Sequence, residues 1–314
     1  MPQSNYLGMI QPRDFPSLPS GWTSEWETFP SAEGLGGIKL RLFGVLHHPE
    51  GDAWKSPRAL IVVHGIGEHS GRYLHFPHYV QSAVDAVYSY DHRGHGRSEG
   101  LQGHVDQFDF FAEDLKVAIR RLDEKLRARF GRSEISIFAH SLGGLITLRA
   151  LFSDPHLPIV SAALSAPLLG MKVQVPMVKK TAAKLLSKVW GNLQMVTEID
   201  PKLLSHDQEV VQAYSTDRLV HKKVTPRLFT EMTRAMEETR RRETGWEYPV
   251  LMQLPEEDQV TDTEAASRFF RSLKQRDKLL KTYPGFFHES FNEVRKELPF
   301  EDLVSWLIQH RKAP

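Results

Sequence analysis

The chain has 314 residues, 40% of them hydrophobic and 25% charged, with a formal net charge of +1 and no cysteine. That length suits one large domain with an insertion, or two domains, and can bury a sizeable core. The charge balance gives no global attraction to nucleic acid, and the lack of thiols excludes disulfides, thiolate catalysis and cysteine-ligated metals.

Residues 1–10 lack both a basic start and a long apolar core, so no signal peptide is expected. No run approaches the roughly 18 apolar residues of a membrane span, and a soluble cytoplasmic protein is the expectation. Residues 1–20, with Pro12, Pro16 and Pro19, read as an irregular arm. Two antiparallel strands are expected between Trp26 and His48, the second over 38–46 with Leu40, Leu42 and Phe43 as candidates for burial. Residues 59–63 form a continuous apolar run bounded by Pro57 and His64-Gly65, the signature of a parallel strand buried on both faces. A second such strand over 86–90 runs into the polar, glycine-punctuated loop Asp91-His92-Arg93-Gly94-His95-Gly96-Arg97-Ser98, which reads as a structural loop beneath a sheet edge. Phe108, Phe111, Leu115, Ala118, Ile119 and Leu122 recur at helical steps, and Gly131 ends that helix.

Next comes Ile135-Ser136-Ile137-Phe138-Ala139-His140-Ser141-Leu142-Gly143-Gly144, an apolar run into a serine flanked by small residues, followed by a helical segment. A strand, tight turn and helix in that order is the setting in which a serine becomes a nucleophile, because the positions two before and two after must be small for strand and helix to approach. The pattern is A-x-S-x-G, one methyl group from the G-x-S-x-G elbow. Further strands are expected over 159–166, 250–254 and 279–283, with helices from about Asp262 to Leu273 and along Phe300, Leu303, Val304, Leu307 and Ile308. Alternating strands and helices imply a mostly parallel sheet covered on both faces.

Residues 171–242 break the alternation and read as an inserted helical cap, leaving 21–170 and 243–314 as the core. The insertion has 14 Lys/Arg against 8 Asp/Glu, a net charge of +6, while the remainder carries −5. Within it Val178, Ala182, Leu185, Leu186 and Val189 form one stripe and Lys180, Lys184 and Lys188 another, with Trp190 closing the segment. Two settings suit such a helix: its apolar face meets an anionic lipid surface, or that face packs over the active site with the lysines in water.

Ligands bind at the carboxyl ends of the strands of such a sheet. His288, late in the chain after strand 279–283, is the leading candidate for a general base. Asp258, after strand 250–254, leads as its acid, with Asp262, Glu257 and Glu256 behind it. An acid there accepts the second imidazole N–H, fixes the tautomer and stabilises the imidazolium. An oxyanion hole needs two backbone N–H groups. Leu142, next to the serine at the helix start, offers one, and Ile66, between Gly65 and Gly67, is placed to offer the other. The histidines near His64 lack acidic partners in sequence, and Gly65-x-Gly67 lacks a third glycine, so neither a metal nor a nucleotide cofactor is expected.

Together these residues resemble the α/β-hydrolases of the monoacylglycerol lipase and lysophospholipase group, over roughly residues 35–312. The motifs that carry the likeness are His64-Gly65-Ile66-Gly67-Glu68-His69-Ser70-Gly71-Arg72-Tyr73, the loop Asp91–Gly100, Gly103-His104-Val105, and Ala139–Gly144. The resemblance implies an α/β-hydrolase fold: a mostly parallel sheet with helices on both faces and an inserted cap. It implies Ser141, His288 and Asp258 as a catalytic triad, and Ile66 and Leu142 as oxyanion donors. The implied activity is hydrolysis of lipid esters, monoacylglycerol first. A lysophospholipase, an amide or peptide hydrolase, and a non-catalytic binding protein of the same fold are the alternatives. A small lipid ester is the implied partner, with contact to an anionic membrane through the cap as a further one. Ala139 in place of the first elbow glycine, and Pro255-Glu256-Glu257 in place of a glycine-rich turn before the acid, are departures from the family pattern.

Overall fold

The computed structural model describes residues 15–172, 177–196, 199–242 and 244–312. Two antiparallel strands, β1 (Trp22–Pro30) and β2 (Arg41–Pro49), lead into β3 (Arg58–Val63), α1 (Phe76–Val80), β4 (Ala86–Tyr90), α2 (Asp109–Phe130), β5 (Glu134–His140), α3 (Leu142–Ser153) and β6 (Ile159–Ser165). After an insertion the chain resumes with β9 (Val250–Pro255), α7 (Thr263–Ser272), β10 (Lys278–Tyr283) and α8 (Glu297–Gln309). The strands form one eight-stranded sheet in the order β1-β2-β4-β3-β5-β6-β9-β10. β1 and β2 pair antiparallel with each other, and β2 with β4; every other pairing is parallel.

β3, β4, β5 and β9 are buried almost throughout, the consequence of helices on both faces of a parallel sheet. One core lies beneath α2, α3 and α7, where Phe108, Phe111, Leu115, Ile119, Leu145, Leu148 and Phe269 meet Ile61, Ile137 and Met252. The other lies beneath α1 and α8, where Phe76, Phe300, Leu303 and Trp306 meet Leu60, Val62, Phe138 and Leu251. α2 contributes one apolar stripe, as the spacing of its large residues requires, whereas α3 is buried almost all round. Gly131 ends α2 in the left-handed conformation with φ of 73°, its N–H donating to the Arg127 carbonyl.

The insertion between β6 and β9 contains α4 (Met177–Val189), β7 (Met195–Val196), α5 (Gln208–Thr216), β8 (Lys223–Val224) and α6 (Pro226–Arg240). β7 and β8 pair as a separate two-stranded ribbon. Thr225 caps α6 by accepting from the Leu228 N–H, with Pro226 at the first helical position. Of the stripe expected along α4, Ala182, Leu185 and Val189 face outwards and Leu186 is half-buried. Leu185, Val189 and Trp190 are 64%, 72% and 64% exposed, whereas Ala183 and Ser187 are buried where α4 lies against α6. Small side chains on that line allow the helices to approach closely, which leaves the larger apolar groups on the open side. The side chains of Val178 and Lys180, and residues 1–14 of the arm, lie outside the described residues.

Candidate active site

β5 ends at His140, and Ser141 occupies the turn before α3 with φ 52° and ψ −116°, a left-handed conformation costly for a residue with a Cβ. Its backbone is clamped on both sides: Ser141 N–H donates to the Ser165 carbonyl, and its own carbonyl accepts from Leu168 N–H at 2.9 Å. Gly143 lies so close to β3 that an added Cβ would meet the carbonyl oxygens of Val63 and His64, the latter at 2.6 Å. A Cβ on Gly144 would meet Pro167 Cβ at 2.7 Å. Ala139 is fully buried, so its methyl group is accommodated where a glycine was expected.

The His64-to-Tyr73 loop leaves β3 beside the serine. A Cβ on Gly65 would stand 3.3 Å from Ser141 Cβ, and Gly67 has φ of 74° with its face against the His221 carbonyl. Ile66 therefore sits in a backbone turn wedged between the serine and the insertion. Leu142, the first residue of α3, presents its N–H at a helix amino terminus, where no intrahelical acceptor exists.

β10 delivers His288 and β9 delivers Asp258. His288 Nδ1 lies 2.8 Å from Asp258 Oδ2, and both side chains are almost wholly buried. Asp258 Oδ1 accepts from the amides of Val260 and Thr261, and Oδ2 also accepts from Thr261 Oγ1. Burial alone would raise the carboxyl pKa, but His288 and Thr261 outweigh it and bring Asp258 down to about 2. Burial likewise opposes charge on His288, and the Asp258 carboxylate overcomes it and lifts the imidazole above its ordinary value. An ionised carboxylate can only accept, so Nδ1 carries the proton and Nε2 is left with a lone pair. The His140 ring lies 4.7 Å from that of His288. Burial, together with the charge of His288, depresses His140 to about 3 and keeps it neutral.

The other acids considered for the Asp258 position are elsewhere. Glu256 and Glu257 are exposed, and their amides donate to the Tyr283 and Phe286 carbonyls. Asp262 caps α7 by accepting from Ala265 N–H.

A second buried network lies under the site. Arg72 donates to both oxygens of Glu289 and to Glu68; Glu68 also accepts from Tyr73 Oη and Gly65 N–H. Burial disfavours the Glu289 carboxylate, yet Arg72 holds it at about 2. The motif His64–Tyr73 flags these residues in sequence, but nothing in it indicates Glu289 as the distant partner. The Asp91–Ser98 loop is tied to itself and to the His64–Tyr73 loop: Asp91 accepts from Arg97 and Ser70 amides, and His92 N–H donates to His64 Nε2. Among the described residues no group of three or more His, Cys, Asp or Glu is arranged to hold a metal ion.

A serine strained at a strand-to-helix elbow, a histidine backed by a buried aspartate, and a parallel sheet presenting both at its carboxyl edge define an α/β-hydrolase. The family model Hydrolase_4, described as serine aminopeptidase, S33, matches residues 55–295, and the chain belongs to that family, in the monoacylglycerol lipase group. It is 30% identical over 292 residues to a monoacylglycerol lipase of Mycolicibacterium smegmatis, covering 89% of this chain and 96% of that one. It is also 30% identical to the mouse monoglyceride lipase, covering 83% and 86%. Among solved structures, the monoacylglycerol lipase of Paleococcus ferrophilus superposes with a TM-score of 0.72 at 28% identity, covering 92% of this chain and all of that one. A soluble variant of the Saccharomyces cerevisiae monoglyceride lipase, in complex with a substrate analogue, shares the fold with a TM-score of 0.77 at 20% identity, covering 91% and 97%.

Proposed function

We propose that the chain is a serine hydrolase of carboxylic esters of lipids, with monoacylglycerol as the leading substrate. Ser141 Oγ attacks the ester carbonyl while His288 Nε2 takes its proton. The proton then passes to the departing glycerol oxygen, leaving Ser141 acylated. Water, deprotonated by the same nitrogen, attacks the acyl carbon and releases the fatty acid and the free serine. Asp258 holds the imidazole tautomer and offsets the imidazolium charge. The N–H groups of Ile66 and Leu142 receive the oxyanion. The observation that carries this reading is the buried 2.8 Å contact between His288 Nδ1 and Asp258 Oδ2 at the sheet edge that holds the strained Ser141. The names of the relatives support the choice of lipid ester.

In this reading residues 21–170 and 243–314 form the catalytic core and 171–242 the cap. The outer face of α4, with Leu185, Val189 and Trp190 exposed beside Lys184 and Lys188, suits contact with an anionic lipid surface. No helix among the described residues is long and apolar enough to cross a membrane. Lysophospholipid hydrolysis uses the same chemistry on a different head group. Amide hydrolysis is kept as a second reading because the matching family is described as serine aminopeptidase. A panel of 2-monoacylglycerol, lysophosphatidylcholine and amino-acyl amides at matched concentration separates the three. The highest kcat/KM is expected for the monoacylglycerol, and preference for an amide would overturn the proposal. A pure binding protein of this fold would give no acyl burst with any activated ester.

A further inference from the structure

The insertion touches the loop that carries His288, and it does so through a short polar segment unrelated to the exposed face of α4. Leu204, Ser205 and His206 precede α5, whose amino terminus is capped by Asp207. The Leu204 carbonyl accepts from Glu289 N–H at 2.9 Å, one residue after the histidine. Ser205 Oγ donates to the Asn292 carbonyl at 2.8 Å. His206 stacks on Phe287, one residue before the histidine, with ring centroids 3.7 Å apart and planes inclined by 26°.

These contacts converge on Glu293. Its side chain is 4% exposed, and its carboxylate gathers donors from both partners: Phe287 N–H at 2.9 Å, His206 N–H at 3.2 Å and the His206 ring Nδ1 at 2.9 Å. A buried carboxylate strengthens hydrogen bonds to it and is costly to leave unpaired. The loop at 287–289 is thus fixed on one side by Glu293 and on the other by the insertion, with His288 between them. The far end of the same helix grips the other half of the site. Asp217 pairs with His69 at 2.9 Å, and His221 N–H donates to the Gly67 carbonyl at 2.8 Å.

We propose that His206 and Glu293 are positioning residues for His288: the insertion, through residues 204–206, holds the loop that presents the base to Ser141. This rests on the reading of His288 as the base. It divides the insertion into a part belonging to the catalytic frame, 204–221, and an outer part, α4 and β7, that makes none of these contacts. Neither His206 nor Glu293 touches the reacting atoms, so their effect falls on the rate of chemistry and leaves substrate binding nearly unchanged.

The test uses the full chain and a short, water-soluble p-nitrophenyl ester, with kcat expressed per Ser141 titrated by a fluorophosphonate. His206→Ala is expected to lower kcat per titrated site about tenfold or more, with KM within about twofold, since a misplacement of about 1 Å at a catalytic group costs about a hundredfold. His206→Arg supplies a planar N–H donor able to stack on Phe287 and pair with Glu293, and is expected to restore most of the rate. Should His206→Ala fold poorly, Glu293→Gln keeps shape and an acceptor while removing the charge, and the same split between kcat and KM is expected. An unchanged kcat per titrated site, or an equal loss in His206→Ala and His206→Arg, overturns the proposal. Failure of the underlying reading is a different result: the wild-type chain would then take no label at Ser141.

Discussion

Asp258 and His288 sit 30 residues apart in sequence, at the ends of adjacent parallel strands, with Oδ2 and Nδ1 2.8 Å apart. Asp258→Asn keeps the side chain's shape but replaces an obligatory acceptor with an amide, which favours the wrong imidazole tautomer. Loss of kcat by about 10⁴-fold is expected, measured on a soluble ester. Asp262→Asn serves as the comparison, because Asp262 caps α7 and faces Ala265 N–H. Asn is an equally good cap, so stability and rate are both expected to stay near wild type.

The same pair sets a pH dependence with opposite signs for activity and stability. The proposed mechanism needs neutral His288, whose pKa is lifted above its ordinary 6.5, so kcat/KM is expected to rise with pH through a limb above 6.5 and to fall below it. Stability follows the ion pair instead. The contribution from His288 is full below 6.5 and is lost as pH rises through the lifted value. The contribution from Asp258, depressed from 3.8 to about 2, is present above 3.8 and fades as pH falls towards 2. Melting temperatures of wild type and Asp258→Asn across this range are expected to differ most between 3.8 and 6.5.

Two glycines test how tightly the elbow and the proposed oxyanion loop are built. Gly143→Ala forces a methyl group against the Val63 and His64 carbonyls, where both neighbours are backbone. A loss of about 3 kcal/mol or more is expected, read by denaturant unfolding. Gly67→Ala places a methyl 2.5 Å from the His221 carbonyl at φ of 74°. Its main effect is expected on kcat, by about 10²-fold, through displacement of the Ile66 amide. Ala139→Gly, by contrast, restores the usual elbow residue and is expected to cost no more than about 1 kcal/mol, since the methyl is already accommodated.

The outer face of α4 is tested by Val189→Asp with Trp190→Ala. Binding to vesicles containing anionic lipid is expected to fall about tenfold or more as apolar area and charge complementarity are lost, measured by flotation. Equal flotation of variant and wild type would remove the lipid-contact proposal.

Much of the sheet was legible because buried parallel strands write themselves as short apolar runs. The strand expected over 86–90 has those bounds, and those over 59–63 and 250–254 differ by one residue. The hairpin was harder: β2 runs over 41–49 rather than 38–46, because the turn that precedes it extends further along the chain, with Gly36 and Gly37 both at positive φ. Ser141 stood out through the small residues that its turn requires. Asp258 was distinguishable from Glu256, Glu257 and Asp262 only in three dimensions, since all four lie just after the same strand and a single side chain turns inward. Glu289 and Glu293 carried no sequence signal, because their partners Arg72 and His206 are 217 and 87 residues away.

The most direct test of the proposed chemistry is to react the full chain with a fluorophosphonate and locate the adduct by mass spectrometry. One adduct is expected, on Ser141, absent in Ser141→Ala and formed far more slowly in Asp258→Asn. An adduct on another residue, or undiminished ester hydrolysis by Ser141→Ala, would contradict the assignment of Ser141 as the nucleophile.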